Sequence, residues 1–345
     1  MQSILMVGEQ RSGSNLLRLI LNSSSEIAAP HPPHILQNLM PLMSDYGNLS
    51  DESTMNRLVD DVCRLVEHNP VAWDGIDRFN RDEVRSLCKE NSLVAVFSAV
   101  MEIYAQRHNA SAWICKSMQN IRWAKELDDY LDNAKFVYLY RDPRDVALSF
   151  SKAVIGDKHP YNIATKWIQL QQLCLDAEKW LRPDQFKRIC YEELTSEPEH
   201  VISDLCEFLG IPFIPNMLDF HRSGEAARTA KKSSLWSNLT QPVMAGNTNK
   251  FKKNMSEQHV RIIESLAGNI MDQLGYERYL VEVGMEEKFT RDQIAQFNAE
   301  NDKGMNVMSK KTDPDDLKRR QRQLNIIQEI RDFNRYPQMS QSATR

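Results

Sequence analysis

The chain has no C-x-x-C pair, no apolar run approaching the roughly 18 to 20 residues that cross a bilayer, no internal repeat and no excess of positive charge. Each absence excludes a class of protein. Six cysteines (Cys63, Cys88, Cys115, Cys174, Cys190 and Cys206) are scattered over 345 residues, and without paired spacing they read as structural thiols of a reducing compartment rather than metal ligands or disulfides. The first candidate strand starts at about Ser3, leaving no room ahead of it for a secretory leader, so a cytoplasmic location is expected. A formal charge of -4 argues against a general nucleic-acid binder, and any basic site must be local.

What the chain does contain is strand-helix alternation. Ser3 to Val7 is an apolar run ended by Gly8, followed by a loop and a helix carrying Leu16, Leu17, Ile20 and Leu21. "KFVYLY" (135–140), "FKRICY" (186–191) and "AWICK" (112–116) suit further strands. The alternation predicts an α/β fold with a central parallel sheet flanked by helices. Ser196 with Glu199 suits a helix start and Gly210 with Pro212 its stop, while a second covering helix runs from Ser256 toward Gly275 with Val260, Ile263, Leu266, Ile270 and Leu274 on one face. From about 35 to 110 the pattern is helical and irregular, as an insertion over the first strand would be. Beyond residue 281 the chain turns polar and charge-rich. There Asp313 and Pro314 suit the start of an amphipathic helix with Leu317, Leu324, Ile327, Ile330 and Phe333 as its apolar face, a docking or homodimer helix ahead of a frayed end.

The stretch GEQRSGSN, Gly8 to Asn15, sets two glycines five positions apart, the frame of the phosphate-binding loop G-x-x-x-x-G-K-[ST]. Ser14 and Asn15 stand where the lysine and the magnesium-binding hydroxyl belong. Backbone N–H groups and a helix amino end still suit an anion, but the apparatus for a nucleoside triphosphate with Mg²⁺ is missing. Arg11 supplies a cation two residues before the second glycine, and its planar fork can span a phosphate and a neighbouring acidic group. In "VYLYRDPRDVALSFSK", Arg141 falls at the carboxyl end of a strand and Ser149 on the helix begun by Asp142 and Pro143, where ligands of open α/β sheets gather. The other reading of Arg141 is an ion pair with Asp142 or Asp145. Two anion sites imply a ligand with two separated anionic groups.

These two stretches resemble the 5′-phosphosulfate loop and the 3′-phosphate motif of the sulfotransferase family, whose donor is 3′-phosphoadenosine 5′-phosphosulfate (PAPS). "ICYEELTSEPEHVISDLCEFLGIPF" and "NTNKFKKNMSEQHVRIIESLAGNIMDQLGY" are similar to the family's tyrosine-acidic-acidic strand end and its basic closing segment, so the likeness runs from about Ser3 to Tyr276. It implies a P-loop NTPase-like sulfotransferase fold in which Arg11, Ser12, Gly13, Ser14 and Asn15 hold the 5′-phosphosulfate. Arg141 and Ser149, eight residues apart as in the family pattern, would hold the 3′-phosphate. Tyr191 would contact adenine or else close the core. Lys250 and Lys252, in "NKFKK" with Asn249 and Lys253, would fold over the 3′-phosphate, although the family's R-K-G form is absent.

For the chemistry, the resemblance implies Arg11 as stabiliser of the bridging oxygen and Lys116 in "ICKSMQN" as a lysine near the sulfuryl group, or else a solvated strand-end lysine. The base is expected after the first helix, in "IAAPHPPHIL": His31 is preferred, His34 is three residues on, and Glu26 is the carboxylate alternative. An imidazole of pKa near ~6.5 accepts a proton at neutral pH. The implied reaction is metal-free sulfuryl transfer from PAPS to a hydroxyl or amine, leaving adenosine 3′,5′-bisphosphate. The acceptor, a small molecule, lipid or carbohydrate, is not written in the donor motifs, and Trp73, Phe79, Trp113 and Trp123 are either its pocket or core. Residues 1–281 are expected to form the sulfotransferase domain, with a helical insertion at about 35–110, and 282–345 a charged helical extension with a flexible tail. Two alternatives stay open: a P-loop small-molecule kinase, which the missing lysine disfavours, and a noncatalytic nucleotide-binding scaffold recruiting a partner through its C-terminal helix.

Overall fold

The computed structural model describes residues 1–232 and 234–335. Five parallel strands, β1 (Gln2–Gly8), β2 (Ile27–Ala28), β3 (Ala112–Cys115), β4 (Lys135–Tyr140) and β5 (Phe186–Cys190), form one sheet in the order β2-β3-β1-β4-β5. The runs of β1, β3 and β4 became strands because a parallel strand buried on both faces reads as continuous apolar sequence, whereas β5, at the sheet edge, leaves Lys187 half-buried and Arg188 exposed. β1 shows this, with every residue from Ser3 to Gly8 buried. The two-residue β2, which pairs Ile27 and Ala28 with Ala112 and Trp113, is too short to carry a pattern. Strand order reverses at β1, whose last two residues share a compact unit with nearly all of β4.

The chain divides into two units. The first comprises Met1–Met6, Leu21–Lys135 and the chain from Asp313 on; the second comprises Val7–Ile20 and Phe136–Thr312. The principal helices are α1 (Ser14–Leu21), α2 (Glu52–Glu67), α3 (Leu93–Arg107), α4 (Pro143–Ser151), α5 (Pro160–Trp180), α6 (Pro198–Leu209), α7 (Gly224–Lys232), α8 (Glu257–Gln273), α9 (Arg291–Lys311) and α10 (Pro314–Arg335).

In the first unit, α3 starts at Ser92, whose hydroxyl accepts from Ala95 N, and it is buried on nearly every side. Its Phe97 meets Trp113 of β3 edge-on at 5.6 Å; burying one such phenyl ring contributes about 1.5–3 kcal/mol. Trp73 packs edge-on against Phe79 and Tyr104, so Trp73, Phe79 and Trp113 are core rings, while Trp123 is half-buried. Asp313 Oδ1 accepts from the backbone of Asp315 and Asp316 and starts α10. α10 then packs on α2 through Ile326, Ile327 and Ile330. Gln323 also donates to the Leu65 carbonyl at 3.2 Å, and Arg64 pairs with Glu329. The apolar face therefore matches the expected one only at Ile327 and Ile330. Leu317, Leu324 and Phe333 are exposed, because Ile326 rotates the buried stripe away from the Leu317–Leu324 edge at 100° per residue. The expected frayed end, "PQMSQSATR", lies outside the described residues.

In the second unit, α8 begins as the sequence predicts, with the Ser256 hydroxyl accepting from His259 N. Ser196 does not cap α6. It ends a short helix, Tyr191–Ser196, and donates to the Glu193 carbonyl. Pro198, with fixed φ and no N–H to satisfy, sets the start of α6 two residues later, and Gly210 at φ +70 ends it. All six cysteines are free thiols. Among the described residues no helix is long and apolar enough to cross a membrane, and no group of three or more His, Cys, Asp and Glu could hold a metal ion.

Candidate functional site

The site of the second unit starts where β1 runs out of apolar residues. Gly8 turns the chain at φ +125, Arg11 takes a left-handed φ of +68 and Gly13 one of +90 before α1 begins at Ser14. A non-glycine residue in the left-handed region costs on the order of 1–3 kcal/mol and persists only where its neighbours impose it. Arg11 is held at both ends: its carbonyl accepts from Arg141 Nη1 at 3.1 Å and its Nε donates to Ser149 Oγ at 3.0 Å. Gly13 is required twice over, by its φ and because a Cβ there would overlap the edge of the Tyr191 ring. Ser12 Oγ and Asn15 Oδ1 are buried polar atoms without a hydrogen-bond partner, an unusual state in a native interior that an incoming ligand can relieve.

Arg141, at the end of β4, is 6 % exposed. Its Nη2 donates to the Asn247 carbonyl at 2.7 Å, its guanidinium lies 4.2 Å from the centre of the Tyr191 ring, and its Nε has no partner. The alternative of an ion pair is met only loosely, by Asp145 at 3.7 Å, whose other oxygen accepts from Phe251 N. Asp142 goes elsewhere: it caps α4 by accepting from Arg144 N and grips the Arg144 guanidinium, which also holds Glu264. Burial, and after it the charge of Arg141, lower the Arg11 pKa. Two guanidiniums that disfavour each other in a half-dry site favour an anion.

Around these groups lies a cavity of about 420 Å³. Arg11, Gly13, Ser14, Asn15, Arg141, Ser149, Tyr191 and Lys250 line it together, so one unit gathers most of the expected donor residues. Lys250 donates to Asn247 Oδ1, and Asn247 Nδ2 donates to the Tyr191 hydroxyl at 2.6 Å. Lys252 is elsewhere, over the Phe251 and Tyr279 rings and in a separate cavity of about 170 Å³ with Asp142, Arg144 and Glu192. Sequence reasoning missed Lys152, Asn247 and an apolar wall that includes Phe220, Trp236 and Met244. Lys152 was within reach, since it stands three residues after Ser149, at the C-cap of the same helix; the wall comes from an irregular segment with no periodicity.

The remaining expected residues lie in the first unit. His31 is 7 % exposed, and its carbonyl accepts from Trp73 Nε1 at 2.8 Å. His34 has a left-handed φ of +53, donates its backbone N–H to Ser117 Oγ, and leaves Nδ1 buried without a partner. Burial, then the nearby Lys116 charge, push its pKa down to about 4. The ring is therefore neutral at physiological pH. Lys116 is 8 % exposed, not a solvated strand-end lysine. The Glu26 carboxylate accepts from the Ser111 hydroxyl.

The sequence model described as "Sulfotransferase family" matches residues 3–215. An uncharacterised protein of Aquifex aeolicus (strain VF5) is 25% identical over 238 residues, covering 66% of this chain and 28% of that protein. Protein-tyrosine sulfotransferase A of Caenorhabditis elegans is 23% identical over 221 residues, covering 62% and 51%. The match thus spans between about a quarter and a half of the length of these curated relatives. In fold, the chain is similar to the sulfotransferase domain from the curacin biosynthetic pathway, with a TM-score of 0.54 at 21% identity over 81% of this chain and 99% of that domain. With the family's pattern running through most of the chain, from the first strand past the last, the protein belongs to the sulfotransferase family.

Proposed function

We propose that this chain transfers a sulfuryl group from PAPS to a hydroxyl or amine of an acceptor, releasing adenosine 3′,5′-bisphosphate. The observation that carries the proposal is the convergence of two guanidiniums, half-buried Arg11 and buried Arg141, on one cavity floored by a glycine turn and a tyrosine ring. The unpartnered Ser12 Oγ and Arg141 Nε fit a donor that brings its own oxygens. Arg11 with Ser12 to Asn15 would hold the 5′-phosphosulfate, Arg141, Ser149 and Lys250 the 3′-phosphate, and Tyr191 the base of the nucleotide.

In the transfer, the acceptor oxygen or nitrogen forms a bond to sulfur as the bond from sulfur to the bridging phosphate oxygen breaks. The electron pair of that bond goes to the phosphate, beside Arg11. The acceptor's proton goes to a base, for which His31 is our first assignment and His34 the second. Charge on the departing phosphate meets a fixed guanidinium in a partly desolvated site, where such stabilisation is strong. We place the reaction in a reducing compartment, the cytoplasm, which the six free thiols support. The relationship to protein-tyrosine sulfotransferase A makes a phenolic hydroxyl one acceptor to include.

The test is incubation of the full chain with radiolabelled PAPS and a panel of phenols, alcohols, lipids, sugars and amines, with adenosine 3′,5′-bisphosphate binding measured by calorimetry. Label should pass to an acceptor, with the same rate in the presence of a chelator, and Arg141→Ala should weaken bisphosphate binding at least tenfold, about 1.4 kcal/mol. Unchanged affinity in Arg141→Ala removes the 3′-phosphate assignment. Tight bisphosphate binding without transfer to any acceptor favours a scaffold, and preference for ATP with Mg²⁺ favours a kinase.

A further inference from the structure

Helix α9 lies beyond residue 215, where the family match ends, yet it reaches toward the donor cavity through a chain of polar contacts. Its two buried residues, Phe297 and Asn301, share one face and dock on the loop between α4 and α5. Phe297 stacks on His159 at 4.6 Å. Asn301 is 4 % exposed. Its Oδ1 accepts from the backbone N–H of Lys158 at 2.6 Å and of His159 at 3.0 Å, and its Nδ2 donates to Asp157 Oδ1 at 3.0 Å. One turn on, Gly304 lets the helix come close, since a Cβ there would stand 2.7 Å from Lys158 Cβ.

Lys158, fixed in this way, turns its ammonium back onto the carbonyls of Phe150, Ile155 and Gly156 at 3.2, 2.8 and 2.6 Å. Of these carbonyls, that of Phe150 belongs to the last turn of α4 and already accepts from Ala153 N at 3.0 Å, so the ammonium adds a cation at the negative carboxyl end of that helix. The helix so closed is α4, which carries Ser149, the partner of Arg11, and is followed by Lys152; both line the cavity. We infer that Asn301 is a positioning residue for the 3′-phosphate side of the donor cavity, acting through Lys158 on the end of α4, an inference that rests on the donor assignment above. Helix α9 is then part of what makes the donor site tight. A buried amide bonded through both its oxygen and its nitrogen suits this role because together these bonds admit one arrangement of the loop.

The test exchanges charge and amide across the contact in the full chain. Asn301→Asp keeps both acceptor bonds but loses the donor and sets a second carboxylate against Asp157. It should raise the bisphosphate Kd and the KM for PAPS roughly tenfold while kcat at saturating donor stays within about twofold. Adding Asp157→Asn restores a donor facing the new carboxylate and should return Kd to near the wild-type value. Gly304→Ala, which raises intrinsic helix propensity but presses on Lys158, should also weaken binding.

Thermal melts on the same samples separate stability from positioning. A residue with a merely structural role lowers the melting temperature and leaves the Kd of folded protein unchanged. Wild-type binding with an unchanged Kd in Asn301→Asp, or no recovery in the double variant, overturns the inference alone. Absence of bisphosphate binding by the wild type overturns the donor assignment and the inference with it. If Asn301→Asp fails to fold, Gly304→Ala decides, and wild-type affinity there overturns the inference.

Discussion

His34 shows how much of a residue's chemistry is set by its surroundings. From sequence it is a second histidine among three prolines, the alternative to the preferred His31 as a base. The fold puts it in a left-handed backbone conformation with an unpartnered buried Nδ1, and burial, aided by Lys116, holds its pKa at about 4. In the unfolded chain the ring has the ordinary value of ~6.5, so the stability it contributes is present above about pH 6.5 and is lost as pH falls toward 4. The melting temperature should drop over that interval, and less in His34→Asn, which tolerates the same φ. Equal slopes would remove the assignment. In turnover, His31→Ala should cost about 10²- to 10⁴-fold with bisphosphate binding kept. Should His34→Ala alone produce that loss, with an acidic limb of kcat/KM near pH 4, the base is His34.

At the scale of elements, starts were easier to read than faces. Asp313 with Pro314 and Ser256 mark helix starts through their own backbone bonds, which need no neighbour. Pro198 overrode Ser196 for the same local reason, a fixed φ that the serine cap could not displace. The buried face of α10 depended on what it packs against, and α2 selects Ile326, Ile327 and Ile330 instead of the stripe through Leu317 and Leu324. Denaturant unfolding checks this directly. Ile330→Ala should destabilise the protein by about 2–5 kcal/mol, and Leu324→Ala, at a position 55 % exposed, by less than about 0.5 kcal/mol. Comparable losses from both would show that Leu324 is covered in solution.

For the whole molecule, the cavity is assembled from side chains between Arg11 and Lys250, and a ligand that binds only this assembly must stabilise it. Adenosine 3′,5′-bisphosphate at a hundred times its Kd should add about 2.7 kcal/mol of stability, read as a higher melting temperature. The shift should shrink as salt rises and be lost at the same ligand concentration in Arg141→Ala; an equal shift in that variant would put the ligand elsewhere. Four of the five parallel strands and the glycine turn that follows the first of them were legible in the chain, because apolar runs and glycines act through the local backbone. The loose pairing of Arg141 with Asp145 was not, nor the separation of Lys252 from Lys250, the role of Lys152 and Asn247 in the cavity, or the depressed basicity of His34. Each of these depends on distances and burial among residues far apart in sequence, which only the packed chain defines.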